Sequence, residues 1–116
     1  MALYIKLLEA RSLASGTDQL LYKPPTNPKR SAIVKDVSLV NKAGASITVY
    51  LQVAKATAPT TYFQLTPAVI LPAGGQLVFN DEITLSSDSA GTNADLLAVS
   101  TTGSVDCVVN GVERDL

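Results

Sequence analysis

Ile47, Val49, Leu51 and Val53 alternate strictly with Thr48, Tyr50 and Gln52. Successive strand side chains point to opposite faces, so this stretch predicts a strand with one dry face and one wet face. On a helix the same four aliphatics would be spread around the circumference. Residues 31–40 predict the preceding strand, in broken phase. Ile33 and Val34 both ask for burial, whereas Val37 and Leu39 continue only one of them. A β-bulge near Lys35 and Asp36 reconciles the two halves. Asn41–Ala45, with Gly44 free to take positive φ, predicts a hairpin turn between the two strands.

The remaining chain repeats this alternation in shorter pieces. Gln19–Tyr22 predicts a strand that Pro24 and Pro25 stop, because proline lacks the ladder N–H. Pro24–Arg30 predicts a stiff, exposed connector, and Lys55–Thr61 an exposed loop. Tyr62–Leu65 and Val69–Leu71 predict short strands separated by Thr66-Pro67. After the Pro72–Gly75 turn, Gln76–Asn80 places Leu77 and Phe79 on the dry face, and Ile83 and Leu85 resume the alternation. A polar loop over 86–93 leads to a strand at Ala94–Thr101 that buries Leu97 and Val99. Thr102-Gly103 then turns the chain into Val105–Val112, with Val105, Cys107 and Val109 facing in and Val108 facing out. Glu113–Leu116 predicts a charged tail. Residues 1–18 predict an extended arm or edge strand ending in a turn signal at Ser15–Asp18. The fold expected is all-β: a single antiparallel β-sandwich over 19–116, jelly-roll or immunoglobulin-like, of about eight strands with an extended N-terminal arm.

Length and composition narrow the function. A chain of 116 residues has room for one core. Only 16% of it is charged and 47% is apolar, so Ser, Thr, Asn and Gln supply much of the polar surface. A net charge of −1 gives no footprint for nucleic acid. No apolar run approaches the roughly 18 residues of a membrane helix, and the N-terminus lacks a signal-peptide layout. A soluble product made in a cytoplasm is expected.

Catalytic chemistry finds little support. The chain has no histidine, so Ser–His and Cys–His pairs are impossible. Cys107 sits in an alternating stretch and reads as a small buried hydrophobe. Asp81 and Glu82 are adjacent, and on a strand they diverge, whereas a glycosidase needs two carboxyls facing across roughly 5–10 Å. Neither this pair nor Asp88 with Asn93 has the spacing of a calcium loop. No catalytic, cofactor or metal site is expected.

One feature exceeds what a lone sandwich needs. Several strands carry aliphatics in both phases: Ile33 with Val34, Leu39 with Val40, Leu96 with Leu97, Val108 with Val109. The surplus (Val34 or Val40, Leu96, Val108, Val112) is expected to meet other subunits or arms. Tyr50, outward on the best strand, suggests a subunit contact or a sugar-stacking platform. The candidate partner-contact residues are Leu3, Ile5, Leu7 and Leu8 of the arm, Pro24, Pro25, Lys29 and Arg30 of the connector, and Tyr50, Val108 and Val112.

The run from Ala32 to Asn41, its Gly turn and Ile47–Leu51 resemble the first hairpin of small β-sandwich virion proteins of tailed bacteriophages. Leu71–Gly75, Leu77–Phe79, Asp81–Leu85 and Gly103–Glu113 extend the resemblance over about residues 19–113. It is a likeness of pattern and carries no shared catalytic motif. It implies a non-enzymatic virion protein made in the bacterial cytoplasm. In its first form this is a capsid decoration (cement) protein, a homotrimer clamping neighbouring copies of a major capsid protein. The alternatives are a tail, collar or baseplate component, or a carbohydrate- or receptor-binding module.

Overall fold

A computed structural model describes residues 3–26, 29–88 and 93–115, with side chains from residue 7 onward. Ten strands occur among them: β1 (Leu3–Leu13), β2 (Gly16–Tyr22), β3 (Arg30–Asn41), β4 (Ile47–Lys55), β5 (Ala58–Gln64), β6 (Val69–Leu71), β7 (Gln76–Phe79), β8 (Ile83–Ser86), β9 (Leu96–Thr101) and β10 (Val105–Asp115). They form two antiparallel sheets. The first runs β1-β10-β3 and ends in β7 and β8, both on β3. The second runs β2-β9-β4 and ends in β5 and β6, both on β4.

With β5 and β6 taken as one broken strand, and β7 and β8 as another, this is the strand order of an eight-stranded jelly roll. The two wirings left open by the sequence are thereby separated. The breaks have local causes. At Thr66-Pro67 the Thr66 hydroxyl takes the place of a ladder partner and accepts the Leu51 N–H at 3.0 Å. The gap between β7 and β8 lies beside the extra residue Lys35 in β3, where the register moves from Asp36 opposite Asn110 to Val34 opposite Gly111. The bulge expected near Lys35 is there. A second bulge places Leu8 of β1 at the same level on the other side of β10. Between them stands Gly111, where an added Cβ would lie 2.2 Å from the Ile33 carbonyl oxygen and 2.9 Å from Leu8.

The predicted hairpin at Asn41–Ala45 is corrected. β3 and β4 belong to different sheets, and the turn arches between layers so that the two dry faces oppose each other. Buried Asn41 holds the arch. Its amide nitrogen donates to the carbonyls of Ala45 (2.9 Å), Leu71 (3.1 Å) and Pro72 (3.0 Å), and its side-chain oxygen accepts from Ala43 N–H at 2.7 Å. Three shorter expectations also change. Most of the loop at Lys55–Thr61 is strand β5, and Pro59 is tolerated there because β5 is an edge. Of the Ser15–Asp18 turn signal, Ser15 is a bend and the other three residues begin β2, where Asp18 has φ 53°. Glu113, Arg114 and Asp115 of the charged tail are the end of β10, and Leu116 lies outside the described residues.

Between the layers, Leu21, Val34, Val37, Leu39, Val49, Leu51, Leu97, Val99, Val105, Cys107 and Val109 are essentially without solvent contact. Burial pushes the Cys107 thiol up to about 12, so it is un-ionised and inert at neutral pH.

Candidate interaction surface

Strand alternation assigns the outward side chains of the first sheet. On β10 these are Asp106, Val108, Asn110, Val112 and Arg114, interleaved with the buried Val105, Cys107, Val109, Gly111 and Glu113. Register then builds the rows. Val112 stands opposite Ile33 of β3, and Val108 opposite Ser38, whose other neighbour is Val78 of β7. On the β1 side, Ala10 stands opposite Val108 and Leu7 opposite Asn110. Leu7 and Val78 are 55% and 54% exposed, while Ile33, Val40, Val108 and Val112 are half-buried. The polar side chains among them are tied to one another: Gln76 Nε2 donates to Ser38 Oγ at 2.7 Å and Asn110 Nδ2 to Asp36 Oδ1 at 2.9 Å. Asp106 accepts from the Ser12 hydroxyl and lies 3.4 Å from Lys42 Nζ. The hydroxyl first, and then the lysine charge, hold its carboxyl below the usual range. The face thus sets aliphatic side chains among polar ones that are tied to one another.

The outer face of the second sheet is different. All six residues of β9 are buried. Tyr62 packs on Ala54, Leu96 and Ala98. Beside them Ser100 Oγ donates to Gln52 Oε1 at 2.6 Å, Gln52 Nε2 donates to Asp18 Oδ1 at 2.8 Å, and Asp18 N–H donates to Ser100 Oγ at 3.0 Å. Gln52, expected on a wet face, is buried by this ring.

At one end of the sandwich the layers are joined by ionisable groups. Glu113, only 2% exposed, points inward from β10. It accepts a hydrogen bond from the Tyr22 hydroxyl of the opposite sheet and one from Arg30 Nη1 at 3.2 Å, while Arg30 Nε reaches Asp115 at 3.1 Å. Burial, and then the hydrogen bond to Glu113, raise the Tyr22 phenol far above its ordinary value. A cleft of about 720 Å³ opens at the sandwich side, lined by Val53, Phe63, Leu65, Phe79 and Ile83. Two acids on its rim are engaged. Asp95 accepts from the Ala56 and Ser86 N–H groups, and Glu82 pairs with Lys35 at 2.6 Å. Among the described residues no three His, Cys, Asp or Glu side chains are grouped to hold a metal.

Of the residues singled out by sequence, the fold brings Leu7, Val108 and Val112 onto one face. Leu3 and Ile5 lie on β1, and their side chains fall outside those described. Leu8 turns at the bulge to pack against the core. The exposed connector is corrected at two positions. Pro24 is fully buried, and Arg30 belongs to β3, where it serves the internal ion network. Pro25 is half-buried and Lys29 exposed, and Tyr50 lies half-buried on the second sheet. The surplus shifts likewise. The bulge at Lys35 sends Val34 into the core and leaves Ile33 outside, and Leu96 is covered within the chain. Ile33 and Val78 join the face unforeseen. Ile33 was visible as one of two competing phases, and Val78 as the residue between Leu77 and Phe79.

No protein-family model matches the chain, and no curated protein matches it in sequence. Solved structures do. A chain of infectious bursal disease virus, Gx strain, is similar over 97% of this chain, with a TM-score of 0.52 and 11% identity. A chain of the T13 particle of the same virus is similar over 98%, with a TM-score of 0.54 and 10% identity. This chain spans 32% and 31% of the length of those two. At such identity the likeness is one of fold.

Proposed function

We propose that the protein is a non-enzymatic structural component of a virus particle, and that it works by laying the outer face of its first sheet against other subunits. The observation that carries this reading is the face itself: Leu7 and Val78 exposed, with Ile33, Val108 and Val112 half-buried beside them. The fold likeness to chains of an icosahedral particle supports it. Jelly rolls also serve lectins and other proteins, so fold alone does not decide the role.

In its finer form the reading is a capsid decoration protein, a homotrimer located on the virion that clamps neighbouring major capsid subunits. The tailed-bacteriophage part rests on the sequence pattern alone, since the structural neighbours come from infectious bursal disease virus. Each contact is modest, and repetition over a shell sums them by multivalency. The test is Val108→Asp with Val112→Asp, read by light scattering and by co-sedimentation with particles. A folded variant that no longer associates supports the proposal; one that associates as before overturns it. Copy number per particle then separates the roles. A count matching the shell lattice assigns the capsid, and a ring-sized handful assigns collar or tail.

A further inference from the structure

The four edges of the sandwich are not alike. One is broken at Thr66-Pro67 and another between β7 and β8, and β2 carries two register irregularities and the left-handed Asp18. Such interruptions are how sheets avoid adding foreign strands. β1 is the exception. It is eleven residues long and interrupted once, at Leu8, after which Glu9–Leu13 runs in unbroken register against β10. Every second residue of an edge strand turns its N–H and C=O outward. At Ala10 the N–H is met by the carboxylate of Glu9, 3.2 Å away, which marks Ala10 as an outward-bonding position.

We propose that β1 is a self-pairing edge: β1 of a second copy adds antiparallel to it across a twofold axis at Ala10. In that register the two Ala10 residues exchange N–H···O bonds, and their small side chains let the strands approach. Glu9 of each copy stands opposite Arg11 of the other, on the same side of the sheet. These two already pair within the chain at 3.2 Å and are partly exposed, so twofold pairing closes four charges into an alternating ring. Leu8 meets Ser12, and the bulge ends the ladder there. The contact joins the first sheets of two copies into one continuous sheet. It uses different atoms from the outer face and stands or falls apart from the function proposed above.

The experiment measures the mass of the full-length protein in solution by light scattering, for wild type and variants whose fold is checked by circular dichroism. Ala10→Pro removes an outward N–H and blocks the edge, as proline is tolerated where a strand faces solvent. The expected result is a halved mass with the fold retained, whether the starting unit is a dimer or a hexamer built from trimers. Glu9→Arg should raise the dissociation constant several-fold, and Glu9→Arg combined with Arg11→Glu should restore it. A wild-type monomer or trimer at high micromolar concentration overturns the proposal, as does a folded Ala10→Pro of unchanged mass. Failure of the charge swap to restore association overturns the Ala10 register.

Discussion

On the outer face of the second sheet, Tyr62 covers Ala54, Leu96 and Ala98, and Asp18, Gln52 and Ser100 close a hydrogen-bonded ring. On the outer face of the first sheet, Ile33, Val108 and Val112 are half-buried and Val78 and Leu7 exposed. Both faces carry more aliphatic surface than a lone sandwich needs. One resolves part of it within the chain, because Tyr62 of β5 covers Ala54, Leu96 and Ala98 and Asp18 of β2 closes over Gln52 and Ser100. The other has no such cover and leaves its aliphatics outward along β10, while Ile70 and Leu20 stay open on the second face. Apolar composition alone therefore does not mark a contact surface. The mark is apolar surface that the rest of the chain fails to cover.

The largest way to break this contrast is at Gly111, which holds the first sheet together between its two bulges. Gly111→Ala forces a Cβ against the backbone of Ile33 and is expected to cost about 3 kcal/mol or prevent folding; denaturant titration measures it. Glu113→Ala comes next. It strips Tyr22 and Arg30 of a buried partner and is expected to cost about 3 kcal/mol. The same end of the sandwich sets an alkaline limit. The Tyr22 phenol has a folded pKa raised above its ordinary 10.0, so its contribution is intact below pH 10 and lost as pH rises beyond it. Melting curves from neutral to strongly alkaline pH should fall less steeply for Tyr22→Phe than for wild type.

Smaller changes sharpen the comparison itself. Ser100→Ala opens the ring on the second sheet and is expected to cost about 1–2 kcal/mol. Val108→Ser with Val112→Ser, on the first sheet, should stay within about 1 kcal/mol in stability and act on association instead. Equal costs on the two faces, measured by chemical unfolding, would remove the distinction between them.

Much of this architecture was legible. Strict alternation at Ile47–Val53 identified a strand, and the competing phases of Ile33 and Val34 required a bulge that occurs at Lys35. The arch at Asn41 was misread as a hairpin, since a Gly turn between two alternating stretches looks the same whether the strands pair side by side or face to face. Glu113 was read as part of a tail. Nothing local announces that a glutamate near a chain end is buried when its partners, Tyr22 and Arg30, lie 91 and 83 residues away. The candidate face was half-legible: Val108 and Val112 showed their phase, but Pro24 and Arg30 looked exposed until the fold enclosed one and paired the other.

By itself the sequence determined where most of the strands lie, which side of the most regular of them faces the core, and so the all-β class. Alternation with a period of two is a property of neighbouring residues and survives without knowledge of the rest of the chain. Tertiary structure alone decided which strands pair, which sheet each joins, and which of the surplus aliphatics finds cover. Those outcomes depend on side chains that are distant in sequence and meet only when the two layers close.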